Sequence, residues 1–287
     1  MTYLFRSTTI ASVLGYVMVT AVVVMAFIDI IPTWLEMTLF LLSLGIEFLA
    51  IILAVKKYSG ILDLANTDLD RFLAENKKLA ARAKKQTKMA VMGNEIVVLL
   101  NYEKTDEVEK RLPEFARNVA PDDIVSKFQY LSYLMDLDII KKDFSRMDQY
   151  INEKKMYLSS INNMSSLAVT SKVKYSLSLS CNLSVLEAEF YSRTAGMLRG
   201  TDNRLAMDYL SAVELARGTV KDMQVMKKCM TAVFDYEEGV VYAVLGDQTR
   251  ADACMQRVAA TNYAYPFIAR ARKYLTDRDA QALMSRT

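Results

Sequence analysis

The sequence predicts an all-α protein: an N-terminal transmembrane helical hairpin followed by an α-solenoid of antiparallel helix pairs. Three observations lead there. From Ser7 to Val55 there is no lysine or arginine and nearly every residue is apolar. Only nine glycines and four prolines punctuate 287 residues, and helix formers dominate the rest. Beyond the apolar stretch, apolar residues recur at spacings of three and four in one short segment after another, the period of a helix buried on one side.

The apolar stretch breaks at Pro32-Thr33 into spans 10–31 and 34–55, 22 residues each. At 1.5 Å per residue each is about 33 Å long, enough for a hydrocarbon core of about 30 Å. A cleaved signal peptide fits poorly, because only Arg6 precedes the first span, the apolar run is too long, and no A-x-A-like site follows. The turn carries no basic residue, whereas residues 56–88 carry nine against four acids. Basic flanks stay inside, so both termini and everything after the hairpin are expected in the cytoplasm, with Trp34 as an interfacial anchor. An inner bacterial membrane suits this arrangement.

Glu47 lies near the middle of the second span, where a carboxylate is costly. In an antiparallel hairpin Tyr16 and Thr20 flank its depth and offer hydrogen bonds. The expectation is a protonated Glu47 that latches the hairpin or another membrane subunit; the alternative is a proton or ion site.

Residues 58–88 form the next segment. Leu62, Leu69, Asn76 and Ala83 recur every seven residues, with Ala65, Phe72, Leu79 and Gln86 three later. That a/d pattern, with asparagine at an a position, predicts self-association as a homodimer through Leu62, Leu69, Phe72, Asn76 and Leu79. Against it stand the readings expected more often for such a segment, an amphipathic helix packing on the helix-pair array or lying on the lipid bilayer. Its lysines reach anionic lipid only if the helix lies flat, since charge attraction decays over about 8 Å.

Residues 89–287 are expected to be the helix-pair array. Ile96, Leu99 and Leu100 begin the pattern; Val108, Leu112 and Phe115 continue it, then Phe128, Leu131 and Leu134, then Phe144, Met147 and Ile151. Polar breaks near 103–106, 120–123, 141–143, 200–203 and 246–248 separate the helices, and short connections make antiparallel neighbours. Lys172–Val185 alternates polar and apolar residues as a strand would. With no second alternating segment to pair with, a helix is the better expectation. Ser159–Ser171 reads as the longest loop.

Chemistry is bounded by what is missing. There is no histidine, so histidine-dependent triads and histidine metal sites are excluded. No phosphate-binding loop, dinucleotide glycine motif or CxxC occurs. The three cysteines read as small core residues in a reducing compartment. Glu237-Glu238 and Asp122-Asp123 point apart and read as solvated charge. Residues 56–287 carry a net charge of about +5 (35 basic less 30 acidic residues), too little to argue for nucleic acid. The chain is expected to be a non-enzyme with no metal and no cofactor.

The run Asp235–Ala251 resembles a tetratricopeptide repeat: Gly239, Tyr242, Gly246 and Ala251 stand at the small, aromatic, turn-glycine and second small positions. Gly239 and Ala251 would let the paired helices approach, Tyr242 would fill the groove and Gly246 would turn the chain. Phe190, Ala206 and Leu210 fit a second unit. The resemblance implies a concave surface that binds a protein or peptide, lined by Tyr191, Arg199 and Tyr236. The function expected is a membrane-tethered adaptor recruiting a cytoplasmic partner. The alternative is an accessory subunit of a membrane transport or export complex, in which the hairpin and Glu47 contact other subunits.

Overall fold

The computed structural model describes residues 60–61, 63–81, 85–165, 169–194, 203–220, 227–277 and 283. Both expected membrane spans, with Tyr16, Thr20 and Glu47, lie outside them, as do Leu62 and Arg199. Among the described residues no helix is long and apolar enough to cross a membrane, and all regular structure is helical. The chain divides into two units, 1–91 and 92–287.

In the first unit, α1 (Leu69–Ala81) buries Phe72, Asn76 and Leu79, while Leu69 is half-buried. The Asn76 amide donates to the Val91 carbonyl at 3.1 Å, in the first half of α2 (Lys85–Asn101). The face expected to join two chains is therefore covered within one. An a-position asparagine already satisfied internally is not available to set the register of a second copy. The apolar face of the helix is thus buried within the first unit.

The second unit continues through α3 (Thr105–Asn118), α4 (Ile124–Lys141), α5 (Met147–Asn163), α6 (Ser171–Thr194), α7 (Asn203–Val220), α8 (Lys227–Leu245), α9 (Gln248–Ala259) and α10 (Pro266–Asp277). From α3 onward each helix packs on the next, as in a helical-repeat array. The alternating segment 172–185 lies inside α6 and is helix. The serine-rich loop is shorter than expected, because α5 runs to Asn163. Asp123 caps α4 by accepting from the Ser126 backbone N–H at 2.9 Å, and Asp247 caps α9 through Arg250 at 3.1 Å.

Three turns share one geometry. Glu103, Lys142 and Gly246, at the ends of α2, α4 and α8, have φ of 55°, 57° and 80°. At each, the residue's N–H bonds three residues back and the following N–H five back: Lys104 to Leu99, Asp143 to Asp138 and Asp247 to Tyr242, all at 2.9 Å. This is the Schellman ending, which leaves one left-handed residue and sends the chain back antiparallel. Aligned on that residue, Ile96, Met135 and Gly239 stand seven positions before it. Val108, Met147 and Ala251 stand five after, and Leu112, Ile151 and Met255 nine after. All are buried. The repeat is thus one of burial and turn geometry, with bulky residues where two of the three pairs lack small ones.

Alternate helices of this unit form a circuit of contacts. A Cβ placed on Gly93 of α2 would lie 2.8 Å from the Tyr133 hydroxyl of α4. Next, α4 packs on α6, Tyr191 of α6 bonds Glu237 of α8, and the Tyr236 ring of α8 lies 5.3 Å from Phe267 of α10. Arg270 of α10 then returns to Glu103 at the α2–α3 turn, beside a Tyr102–Tyr265 ring pair at 4.8 Å. One apolar cluster runs from Phe128 to Leu283 along the inner side of these helices.

Candidate functional site

The densest polar chemistry lies at the centre of α8. Ala232, Phe234, Val240 and Val241 are buried around it, so the helix is enclosed on every side. Four consecutive polar residues, Asp235-Tyr236-Glu237-Glu238, sit in its middle. Successive helical residues fan out by about 100°, so four of them sweep the whole circumference. Buried polar groups need partners, and each of the four finds them on neighbouring elements, with Arg217 shared by Asp235 and Glu238.

Asp235 receives Arg217 of α7 at 3.1 Å and Arg257 of α9 at 2.9 Å. Tyr236 donates to the Leu283 carbonyl at 2.6 Å and accepts from Arg270 Nε at 2.9 Å. One oxygen of Glu237 accepts the hydroxyls of Tyr191 at 2.7 Å and Tyr209 at 2.9 Å. Glu238 pairs with Arg217 at 2.7 Å, and its second oxygen lies 4.0 Å from the Cys254 sulfur. The tetrad therefore ties α8 to α6, α7, α9, α10 and the chain near 283. Glu237 and Glu238 do point apart, but both are buried, so they are not solvated charge.

Electrostatics follow the burial. Desolvation pushes the Glu238 carboxyl up, opposed by the hydrogen bond and charge of Arg217 and by Arg257. Burial also raises the thiols of Cys254 and Cys181, which holds both in the unreactive form. At Arg270 desolvation disfavours the charge, but Tyr236 and Glu103 outweigh it and the guanidinium is raised. Paired in this way, the network fixes which helix faces meet. Among the described residues no group of His, Cys, Asp and Glu side chains is arranged to hold a metal ion.

Tyr191 and Tyr236 are 3% and 1% exposed. The repeat resemblance places both on a partner-binding groove, whereas both are buried in the core. Because the circuit closes, the inner side is core, and the two rings serve packing and internal hydrogen bonding instead of lining an open groove. A Cβ on Gly239 would lie 2.5 Å from Met255 Cε and 3.1 Å from Cys254 Cβ, so this glycine marks the close approach of α8 and α9. Ala251 is buried on α9. Tyr242 is half-buried, with the Arg250 guanidinium 5.4 Å over its ring. Gly246 has open space for a Cβ but a φ of +80°.

Sequence reasoning missed Arg217, Arg257, Tyr209 and the Glu103–Arg270 pair. A signal for the first three was present, since a polar tetrad inside an otherwise apolar helix has to be answered by partners. Large apolar side chains do reach solvent on the central helices: Met156 of α5, Val173 and Tyr175 of α6, and Met207 and Leu215 of α7. On α7 the solvent face runs through Met207, Ser211 and Leu215, four residues apart and therefore in line.

No protein-family model, curated protein or solved structure matches this chain.

Proposed function

We propose that this protein is a membrane-tethered helical-repeat adaptor that recruits a cytoplasmic protein or peptide to the membrane. The observation that carries the reading is the 49-residue stretch Ser7–Val55, free of lysine and arginine, joined to an array of helix pairs. The stretch supplies two spans of the right length. Helix-pair arrays offer extended surface for partner binding. With Tyr191 and Tyr236 in the core, the outward apolar residues Met207 and Leu215 take over the contact role, together with Arg199. Isolated apolar residues on a surface are ordinary; two in line at one helix face give a partner a ridge to pack on.

The second reading, an accessory subunit of a transport or export complex, rests on Glu47 in the middle of the second span. Replacing residues 1–57 by an unrelated hairpin separates the two. Retained activity supports the adaptor, and loss supports the subunit. Topology is tested by single cysteines: one at Thr33 should react with an impermeant thiol reagent from outside, and one at Asp106 should not. Labelling at Asp106 in intact cells removes the cytoplasmic adaptor altogether.

A further inference from the structure

The first two turns of α6 stand clear of the core. At 24 residues α6 is longer than its neighbours α5 (17) and α7 (18). None of its residues from Ser171 to Ser178, about 12 Å of helix, is buried; Leu179 is the first that is. The Lys174 amine donates to the Asn162 carbonyl at 2.9 Å and to the Met164 carbonyl, so this free end of α6 lies beside the end of α5. The serine-rich and alternating stretches of the sequence meet at this tip.

The tip and its border hold three of the five large apolar side chains that reach solvent among the described residues. Val173 and Tyr175 of α6 are 43% and 56% exposed, and Met156, two turns before the end of α5, is 70% exposed. Val173 and Tyr175 are two residues apart, so they leave the helix on opposite sides. The tip is therefore a knob that can be immersed, not a ridge that packs on one flat partner. Charge around it has one sign. Between Glu153 and Glu187 the chain has no acidic residue, a run of 33 residues with four lysines. Lys154 is buried and Lys174 is engaged as above, while Lys155 and Lys172 are exposed. Glu153, which bounds the run, accepts from the Tyr157 hydroxyl at 2.9 Å. Serines in the run turn their hydroxyls onto helix carbonyls, Ser160 to Met156 at 3.1 Å and Ser184 to Ser180 at 2.8 Å, which lowers the cost of drying these faces.

We propose that the α5–α6 tip is a membrane-surface contact: Val173, Tyr175 and Met156 enter the headgroup boundary of a bilayer, and Lys155 and Lys172 meet its anionic lipids. An amphipathic tyrosine ring suits that depth. Lysine stems run along the apolar groups while their charges stay among the headgroups. Attraction to an anionic leaflet acts over about 8 Å, and the acid-free run leaves no carboxylate there to oppose it. An acidic protein offers the same charge, but one flat partner reaches only one side of the knob and leaves Val173 or Tyr175 in water. The contact holds the array against the bilayer and in that respect rests on the membrane-tethered reading.

The test reads tryptophan fluorescence of the full chain reconstituted into vesicles. Trp34→Phe removes the single native tryptophan. On that background Tyr175→Trp reports from the tip and Leu215→Trp from α7. The vesicles are phosphatidylcholine alone or mixed with phosphatidylserine, each with and without bromine on the acyl chains. In anionic vesicles Tyr175→Trp should shift to shorter wavelength and lose most of its emission to the brominated lipid. In neutral vesicles, and at Leu215→Trp in either, both changes should be small. Adding Lys155→Gln and Lys172→Gln should weaken the response at the tip, as should high salt. Tyr175→Trp left unquenched in anionic vesicles overturns the proposal, and so does equal quenching at the two positions or in the two lipids. Flotation separates this from the tether. A chain that floats with neutral vesicles while Tyr175→Trp stays unquenched in anionic ones keeps its hairpin and loses the tip contact. A chain that floats only with anionic vesicles, with Tyr175→Trp quenched, keeps the tip contact and loses the hairpin.

Discussion

The carboxylate of Glu103 and the guanidinium of Arg270 form a two-pronged pair that joins the first turn of the helical array to its last helix. Neither residue belongs to a recognisable motif, and each is an ordinary surface residue in a local view. The pair exists because alternate helices close into a circuit, and it is the contact by which that circuit returns to its start. Its cost is a non-glycine residue in left-handed backbone.

That cost can be separated from the benefit by comparing two turns of one geometry. Lys142 has the same left-handed φ as Glu103, but its side chain is exposed. Lys142→Gly should relieve backbone strain and stabilise the fold by about 1 kcal/mol. Glu103→Gly gains the same relief but strands Arg270, a loss of about 3–5 kcal/mol, so it should be clearly destabilising. Denaturant titration of both variants decides the matter; equal and favourable effects would mean that Glu103 holds nothing.

Turns, helix spacing and the helix pair around Gly246 were readable because each is local. Gly246 announces its turn, the breaks near 103, 142 and 246 fall at the Schellman endings, and 172–185 is helix, with no strand among the described residues to pair with it. The apolar cluster contains the periodic residues Phe128, Leu131, Met147 and Ile151. What stayed hidden depends on long-range closure. Tyr191 and Tyr236 pattern as inward-facing anchors in an open array and as core in a closed one, and the spacing of residues is the same in both. The heptad of α1 was equally ambiguous: an a/d face fits a second chain or its own, and spacing does not report the Asn76–Val91 bond that occupies one of its positions. The other repeats escaped notice because Met135 and Ile96 replace the small residue that Gly239 supplies.

The closest helix approach should be the least tolerant position in the array. At Gly239 an added Cβ runs into Met255 and into the Cys254 Cβ on α9. Gly239→Val should lose about 2–3 kcal/mol by overpacking. Gly246→Val meets no neighbour, so its loss should come from backbone strain alone, about 1–3 kcal/mol. The two are distinguished by alanine. Gly246→Ala keeps most of the strain, whereas a mild effect at Gly239→Ala would show Met255 swinging aside. Thermal melts of the four variants provide the comparison, and a Gly239→Val chain that melts like the parent refutes the close approach.

The two phenols on Glu237 should behave as structural bonds. Tyr191→Phe and Tyr209→Phe each remove one hydroxyl donated to the same buried carboxylate oxygen. Hydrogen bonds to charged groups contribute about 1.5–3 kcal/mol, so each variant should unfold earlier in urea by that margin, and the pair should be non-additive because the two share an acceptor. A Tyr191→Phe chain of unchanged stability would return this residue to consideration as a surface contact.

Lys154 carries the clearest pH signature. Its side chain is 0% exposed, donates to the Ser132 hydroxyl at 2.8 Å and lies 4.7 Å from the centre of the Phe128 ring. Desolvation lowers its pKa from 10.5, with Asp136, Cys181 and Glu187 pulling the other way. In the unfolded chain this lysine holds its proton up to about pH 10.4. In the fold it releases the proton sooner, so the unfolded state binds more protons between the lowered value and 10.5. Stability from this site therefore rises with pH across that window and is at its poorest below it. Lys154→Met keeps the length and removes the charge. It should stabilise the protein at neutral pH by about 1 kcal/mol or more, as replacement of buried charge by well-packed apolar groups often does. The gain should shrink as pH is raised toward about 10. Urea titrations of native and Lys154→Met chains at several pH values test both statements. A gain that is constant with pH would mean the amine stays charged in the fold, held by Phe128, Asp136 and Glu187. A loss at every pH would mean that the bond to Ser132 outweighs desolvation.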